Sequence, residues 1–543
     1  MIFDRQDGRA AINQIRDALS DVMLEFGAPR DPAWAGQYLV STLPAGRFVI
    51  YGAGTQSEAL IAALDVRPDV EIVGFVDRRA TVLGSFQGRP VFPPERVSEF
   101  TCDGVIVSHL RHERSMIEKL FAVGVRSDQI FPIYTNMDFA RWSAARFSNR
   151  LAEIQTDRIR YLVITCAEST WSLLTNRELA TILPPSETLH LYFGRAESLE
   201  IDDPEAAFIV FDIKQSLQGL EAIIAATDPV SVYVKSSVYH YGQFLGAYLK
   251  IRYPRLIVVQ EMYDQALLLT DHKLAYGYDY DETERALLRA AERASFDCCD
   301  LVVTKNGGEA WAKLAEPFLA PWVTYFPRVT AQVAPPCVAN GDEVCRIVFA
   351  GTLPRPEAYD KGSDQLDMCY TEMIERMSPD RRYQIDLYNG AHRYPGHDET
   401  FAAYRKRYPV DGVIRYFSAV SLLELRDLLC RYDYGWHVMH ESLGTVEPVS
   451  RVGIGNKFTT YLQAGLPVVI DTGFEYMARL ISTFGAGLVV GPENMVRLHD
   501  HLLEFDGVKF RPGVEALLAY MCQVNRSSIE RVRVVMLGKH NNP

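Results

Sequence analysis

GIGNKFTTYLQAGLPVVIDTG, residues 453–473, holds a complete passage from helix to strand. The glycine-rich entry Val452-Gly453-Ile454-Gly455 precedes a helical run, Ala464-Gly465 ends it, and the apolar segment LPVVID (466–471) follows at once. An apolar strand entered directly from a helix is half of a crossover unit, because parallel strands are buried on both faces and are joined through helices. Lys457 stands in the first turn of that helix, where a positive side chain opposes the helix dipole. Its presence there needs another reason, such as an anionic ligand.

The same alternation continues on both sides. CRIVFAG (345–351), YQIDLYN (383–389), VIRYF (413–417), YGWHV (434–438) and GLVV (487–490) predict further strands of one unit, separated by helices. Ahead of them AQVAPPCVANGDE (331–343) reads as an interdomain linker, since proline restricts its neighbours and breaks helix and sheet alike. A second unit lies before the linker, with strands at 160–165, 207–211, 230–234, 255–260 and 300–304. A first unit has strands at 47–52, 70–76, 103–108 and 129–133 and helices at 56–65 and 111–123. The fold class is therefore α/β, with three Rossmann-like units. The expected organisation is an N-terminal helical segment (1–45), a nucleotide-binding unit (46–135), a helical connector (136–158), a second unit (159–335), a third (336–495) and closing helices (496–543). In the first segment Ile12, Ile15, Leu19, Val22, Met23 and Phe26 form one helical stripe, suited to packing on the next domain or on a second copy of the chain.

Bulk properties agree. At 543 residues the chain exceeds the size at which one core stops growing, and 48% hydrophobic with 23% charged residues is ordinary globular composition. A net charge of −13 without any Lys/Arg-rich run argues against nucleic acid as a partner. No apolar run is long enough to cross a bilayer, and the first residues lack a secretion signal, so a cytoplasmic location is expected. The nine cysteines are scattered apart from Cys298-Cys299, which predicts buried thiols rather than a disulfide framework. No His-Glu-x-x-His arrangement is present, so no metal site is expected.

In the first unit Gly52-Ala53-Gly54-Thr55-Gln56-Ser57 follows a strand and opens a helix, the context in which phosphate approaches backbone N–H groups. Ser57 replaces the third glycine of the dinucleotide fingerprint. Asp77, at the end of the second strand, is placed to accept from ribose hydroxyls, and Arg78 beside it suits either a phosphate or solvent. The stretch from YGAGTQSEAL through VEIVGFVDRR to Gly88-Arg89-Pro90-Val91 resembles the N-terminal domain of bacterial sugar O-acyltransferases and polysaccharide-biosynthesis dehydratases. The resemblance covers about residues 46–134 and implies a nucleotide or nucleotide-sugar site. Those families usually carry a second acid where this chain has Arg78.

CRIVFAGTLPRPEAYDKGSDQL, VIRYFSAVSLLELRDLLCRYDYGWHVM and GIGNKFTTYLQAGLPVVIDTG, in this order and spacing, are similar to the C-terminal half of GT-B glycosyltransferases, which face two Rossmann-like domains across a cleft. The similarity covers about residues 345–491 and implies that the second unit is the acceptor half. Glycosyl transfer from a nucleoside diphosphate requires stabilising the charge that develops on the leaving diphosphate, which cations and helix N-termini accomplish. Gly351, Arg355, Lys361 and Lys457 are the candidates. Many retaining members carry a glutamate that binds the donor ribose where this chain has Thr460. Either Glu441 or Glu447 upstream takes that role, or the donor is held differently, or the site is inactive.

For a general base on the acceptor side the candidates are His240, Glu261 and Asp264, near the ends of second-unit strands. The expected activity is a metal-independent glycosyltransferase of bacterial cell-surface polysaccharide or glycoconjugate synthesis. It would need no cofactor beyond the nucleoside-diphosphate-sugar donor, its acceptor would be a glycan, lipid carrier or protein, and a homo-oligomer is compatible. Two alternatives stay open: a non-catalytic sugar-nucleotide scaffold or sensor, and an N-terminal NAD(P)-dependent sugar oxidoreductase fused to a transferase.

Overall fold

The computed structural model describes residues 10, 12–14, 32–107, 109, 112–154, 156–166, 172–193, 209–212, 216–236, 238, 242–271, 274, 280–330, 344–353, 382–390, 401–438, 448–491, 498, 502 and 507–538. Three sheets follow one another along the chain. The first comprises β1 (Gly46–Tyr51), β2 (Val70–Val76), β3 (Ser85–Phe86), β4 (Arg89–Phe92), β5 (Gly104–Val107) and β6 (Ile130–Pro132), in the order β3-β4-β2-β1-β5-β6. All its pairs are parallel except the small β3/β4 hairpin.

The second sheet holds β7 (Tyr161–Thr165), β8 (Thr188–Tyr192), β9 (Ile209–Asp212), β10 (Ser231–Ser236), β11 (Ile257–Met262), β12 (Leu301–Thr304) and β13 (Trp322–Thr324), ordered β13-β12-β11-β10-β7-β8-β9. The third holds β14 (Cys345–Gly351), β15 (Tyr383–Asn389), β16 (Ile414–Ser418), β17 (Tyr434–His437), β18 (Val468–Asp471) and β19 (Gly487–Val490), ordered β16-β15-β14-β17-β18-β19. Both are parallel and doubly wound. Each winds outward in both directions from its first strand, leaving a switch point beside β7 and beside β14, where ligands of such sheets bind.

Most expected strands are found within two residues of their predicted limits. Four strands fall outside the predicted set: β3, β4, β8 and β13. β8 carries Thr188 and His190 among its apolar residues, and it is buried because the imidazole Nε2 meets Thr165 Oγ1 at 2.7 Å, so a polar pair stands where the pattern looked for an apolar run. Burial drives the His190 pKa down to about 3. β13 has only three residues. The linker at 331–343 lies outside the described residues, as does the stripe near the N-terminus apart from Ile12, which is buried.

Local signals place several helices. Thr175/Glu178, Asp281/Glu284 and Ser421/Glu424 close capping boxes, satisfying the first amides of the helices that they begin. The connector forms the helix Met137–Ala152, capped by Asn136, and its Phe139 and Trp142 pack on Trp34 and Tyr38 of the helix Pro32–Thr42. One continuous core joins this first unit to the second. Cys299 is buried and Cys298 half-buried, both as free thiols, whereas Cys430 is disulfide-bonded, which cysteine spacing did not foretell.

The helix Arg511–Met536 ties the second and third units together. Its Val514, Leu517, Leu518 and Met521 enter the third unit's core, and Val532, Val535 and Met536 enter the second's. At the crossing Asn525 exchanges both amide hydrogen bonds with the Phe326 backbone, each 2.8 Å. Two successive doubly wound units, with the last helix returning to the earlier one, make the GT-B arrangement expected from the sequence.

Candidate functional site

The chemistry converges where the third sheet splits. β14 pairs with β17 only through Ile347 with Tyr434 and Val348 with Gly435, after which the two strands diverge toward their carboxyl ends. The helix Asn456–Gln463 drops its Lys457 and Tyr461 side chains, one turn apart, into the gap. Tyr461 Oη accepts from Ala350 N–H at 2.8 Å and donates to the Trp436 carbonyl at 3.3 Å. It therefore replaces the ladder bonds that the parting strands forfeit. Gly435 is required beneath the ring, because a Cβ there would overlap it.

Lys457 lies one turn closer to the opening. Its stem runs against Gly351, where any Cβ would overlap it, and its ammonium stands 4.7 Å from the Phe349 ring centroid. Burial lowers its pKa to about 7 from an ordinary 10.5, while part of the side chain stays open to water, which screens the penalty. The helix start adds its own positive potential, with Gly455 as a cap that offers no side-chain acceptor. His437, at the end of β17, packs edge-on to Phe474, and burial together with Lys457 holds it neutral. Asn389 completes the rim by accepting from Leu353 N at 3.0 Å, fixing the turn after β14.

The second unit meets this rim across the cleft. Asn306 forms an antiparallel bridge with Gly453, and Ile454 N donates to the Lys305 carbonyl at 3.2 Å. Lys305 pairs with Asp264 at 2.7 Å, both side chains largely buried. The glycines at 453 and 455 thus carry the entry loop past the facing unit as well as into the helix.

The sequence candidates separate accordingly. Gly351 and Lys457 come together at the split. Thr460 lies on the same helix, but its hydroxyl donates back to the Asn456 carbonyl at 2.8 Å. Arg355, Lys361, Glu441, Glu447 and His240 lie outside the described residues. Glu261 is fully buried and clamps the chain, accepting from Leu173 N (2.5 Å), Leu174 N (3.1 Å) and the Tyr233 hydroxyl (2.8 Å). Burial pushes its carboxyl pKa up against those bonds and the pull of Lys235. Of the two described candidates for the base, Glu261 is thus enclosed by its three donors, and Asp264 is paired with Lys305. Tyr461, His437 and Asn389 were missed. A glycine inside the strand YGWHV was the available signal for Tyr461, since it marks a close approach.

In the first unit Gly52 adopts φ +110° and Ser57 Oγ donates to its carbonyl at 2.6 Å, so the serine braces the turn from within. Asp77 accepts from Ala53 N and Arg79 N, each at 2.8 Å, and from the Arg79 guanidinium, which also reaches the Ala53 carbonyl. Burial raises the Asp77 carboxyl, but Arg79 and the two amides outweigh it and leave the pKa lowered. The acid expected to meet ribose is thus bonded to the glycine turn itself, while Gly54 faces open space and Arg78 is exposed. A depressed carboxylate contributes stability above its unfolded pKa of about 3.9 that is lost as the pH falls. Asp77→Ala is expected to cost about 1–3 kcal/mol and to speed hydrogen exchange at Ala53; unchanged protection there would refute the tie.

Among the described residues no group of three His, Cys, Asp or Glu side chains is placed to hold a metal ion, and no helix is long and apolar enough to cross a membrane. Residues 45–131 match the family described as C2185-like, N-terminal. No curated protein matches the chain. Similar solved structures include HepE (Alr3699) of Anabaena in complex with UDP, at 11% identity and TM-score 0.47 over 69% of this chain and 99% of that one. Others are the lipopolysaccharide outer core galactosyltransferase WaaB (9%, TM-score 0.44, 70% and 100%) and MurG of Acinetobacter baumannii (9%, TM-score 0.37, 70% and 99%).

Proposed function

We propose that the chain is a glycosyltransferase that takes its sugar from a nucleoside-diphosphate donor, with the diphosphate lodged at the split between β14 and β17. One observation carries this reading: a lysine is held, at a cost in desolvation, beside the positive end of a helix at the sheet's switch point. Two positive features side by side repel each other, and an anion between them relieves both. As the bond to the sugar breaks, charge gathers on the leaving diphosphate, and Lys457 with the neighbouring amides stabilises it where water is scarce. The lysine supplies the positive charge without a metal ion. The acceptor approaches from the second unit; it is a glycan, lipid-linked or protein acceptor of cell-surface glycoconjugate synthesis in the cytoplasm. The first unit is an accessory sugar-nucleotide domain, of the kind its sequence resembles, fused to the acceptor half.

Purified protein incubated with UDP-, GDP-, ADP- and dTDP-sugars is expected to release the nucleoside diphosphate from one of them by slow transfer of the sugar to water in place of the acceptor. Thermal shifts without release would instead identify a non-catalytic binder, and a shift with NAD(H) or NADP(H) that is lost in Gly54→Val would identify the oxidoreductase. A proton is also expected to accompany donor binding. The pyrophosphate diester keeps constant charge across neutral pH and favours the charged lysine, so binding above pH about 7 takes up a proton. Affinity is therefore strongest below that pH and falls as the pH rises. Calorimetry in buffers of different ionisation enthalpy measures the uptake, which Lys457→Arg is expected to abolish; uptake that persists in the arginine variant argues against Lys457 as its source.

A further inference from the structure

We infer that Tyr461 is a positioning residue: its hydroxyl, bridging the two parted strands, holds the helix Asn456–Gln463 at the depth that sets Lys457 in the crevice. The inference builds on the donor site proposed above but is not exhausted by it. β14 and β17 run together for only two residue pairs, and what spans the gap beyond them is a side chain. The Ala350 amide and the Trp436 carbonyl, at the same level of the two strands, meet the same phenol oxygen at 2.8 and 3.3 Å. That hydroxyl is pinned from both sides, as donor and as acceptor.

The ring above it has no freedom to compensate. Tyr461 is fully buried and lies against the bare backbone of Gly435, so the helix approaches β17 as closely as an aromatic ring permits. Lys457 occupies the equivalent place over Gly351 of β14. Both strands thus carry a glycine where the helix sends a long side chain between them. The depth of Lys457 follows from the depth of Tyr461, because an intervening helical turn is stiff and both side chains share one face. Among the described residues, the Phe349 ring from β14, His437 from β17 and the helix's own first turn stand around the ammonium; of these only His437 titrates, and burial keeps it neutral.

Loss of the hydroxyl leaves an amide and a carbonyl at the base of the split without their partner. The helix then moves outward or water enters, and in either case Lys457 becomes better solvated and titrates higher. The experiment uses the full chain and two readouts. The first is the pH dependence of Lys457 labelling by acetic anhydride, resolved by mass spectrometry, which needs no ligand. The second is the affinity for the best-binding nucleotide sugar at pH 6, where Lys457 is charged in both proteins. Tyr461→Phe is expected to raise the labelling midpoint by about one pH unit and to weaken the nucleotide sugar by about tenfold. Tyr432→Phe, which removes another hydroxyl of the same sheet, bonded to Asp386 at 2.5 Å, is expected to lower Tm without moving either readout.

An unchanged labelling midpoint in Tyr461→Phe overturns the inference. Should that variant fail to fold, Gly435→Ala disturbs the same ring from the strand side and is expected to raise the midpoint likewise; an unmoved midpoint there overturns it equally. A raised midpoint in a protein that binds no nucleotide sugar upholds the positioning role and removes the proposed donor site, so the two failures are told apart.

Discussion

On the proposed function, Lys457→Met is expected to lower kcat/KM for donor turnover by about 10²–10³-fold while the protein becomes more stable. The two effects share one cause. A lysine whose pKa is lowered to about 7 is charged in the folded chain only at an energetic cost, so the wild-type protein carries a penalty that is fully present below that pH. The penalty fades as the pH rises toward the ordinary lysine value, since the folded state binds fewer protons than the unfolded one across that range. Methionine fills the channel over Gly351 without the charge. Its Tm is expected to exceed that of the wild type by several degrees at pH 6 and by progressively less at higher pH. Partial exposure of the lysine keeps the gain modest. Donor turnover measured beside thermal denaturation tests both halves. A variant that is equally active, or that loses stability together with activity, contradicts a charge kept for the ligand.

The second large effect belongs to Glu261 and has the opposite character. Its carboxylate gathers two backbone amides at Leu173 and Leu174 and the Tyr233 hydroxyl inside the second unit, where no water reaches. Glu261→Ala leaves three buried donors without an acceptor and is expected to cost about 3–5 kcal/mol, or a fall in Tm on the order of 10 °C. Glu261→Gln keeps the shape but turns an NH₂ group toward one of the donors, so it costs less and still destabilises. Activity per folded molecule is expected to survive in Glu261→Gln. A glutamine variant with wild-type Tm and a hundredfold lower kcat would restore Glu261 as the general base and set aside its role as a clamp.

Much of this protein is legible in its sequence. Three α/β units follow from periodicity, because buried parallel strands must be nearly continuous in Val, Ile and Leu and must alternate with helices. VEIVGFV and CRIVFAG come near that demand, YQIDLYN alternates apolar residues with Gln384 and Asp386, and the limits of all three coincide with β2, β14 and β15. Lys457 stood out from sequence because it contradicts a local electrostatic rule, and such contradictions are visible one residue at a time. β8 was hidden because its imidazole is satisfied by a threonine on a different strand, 25 residues away. Asp77 and Glu261 have the residue type and strand-end position of functional acids, and sequence carries no record of which amide a carboxylate meets.

The amino-acid order thus determined the number of units, most of their strands and the placing of Lys457 against its helix dipole. The tertiary structure alone decided which carboxylates hold the fold together and that a tyrosine hydroxyl fills the parting between β14 and β17. Hydrophobic period is a property of neighbours along the chain and can be read from it. Hydrogen-bond partnership and depth of burial depend on segments as far apart as 88 residues, for Leu173 with Glu261, and 111, for Ala350 with Tyr461, and exist only once the sheets have formed.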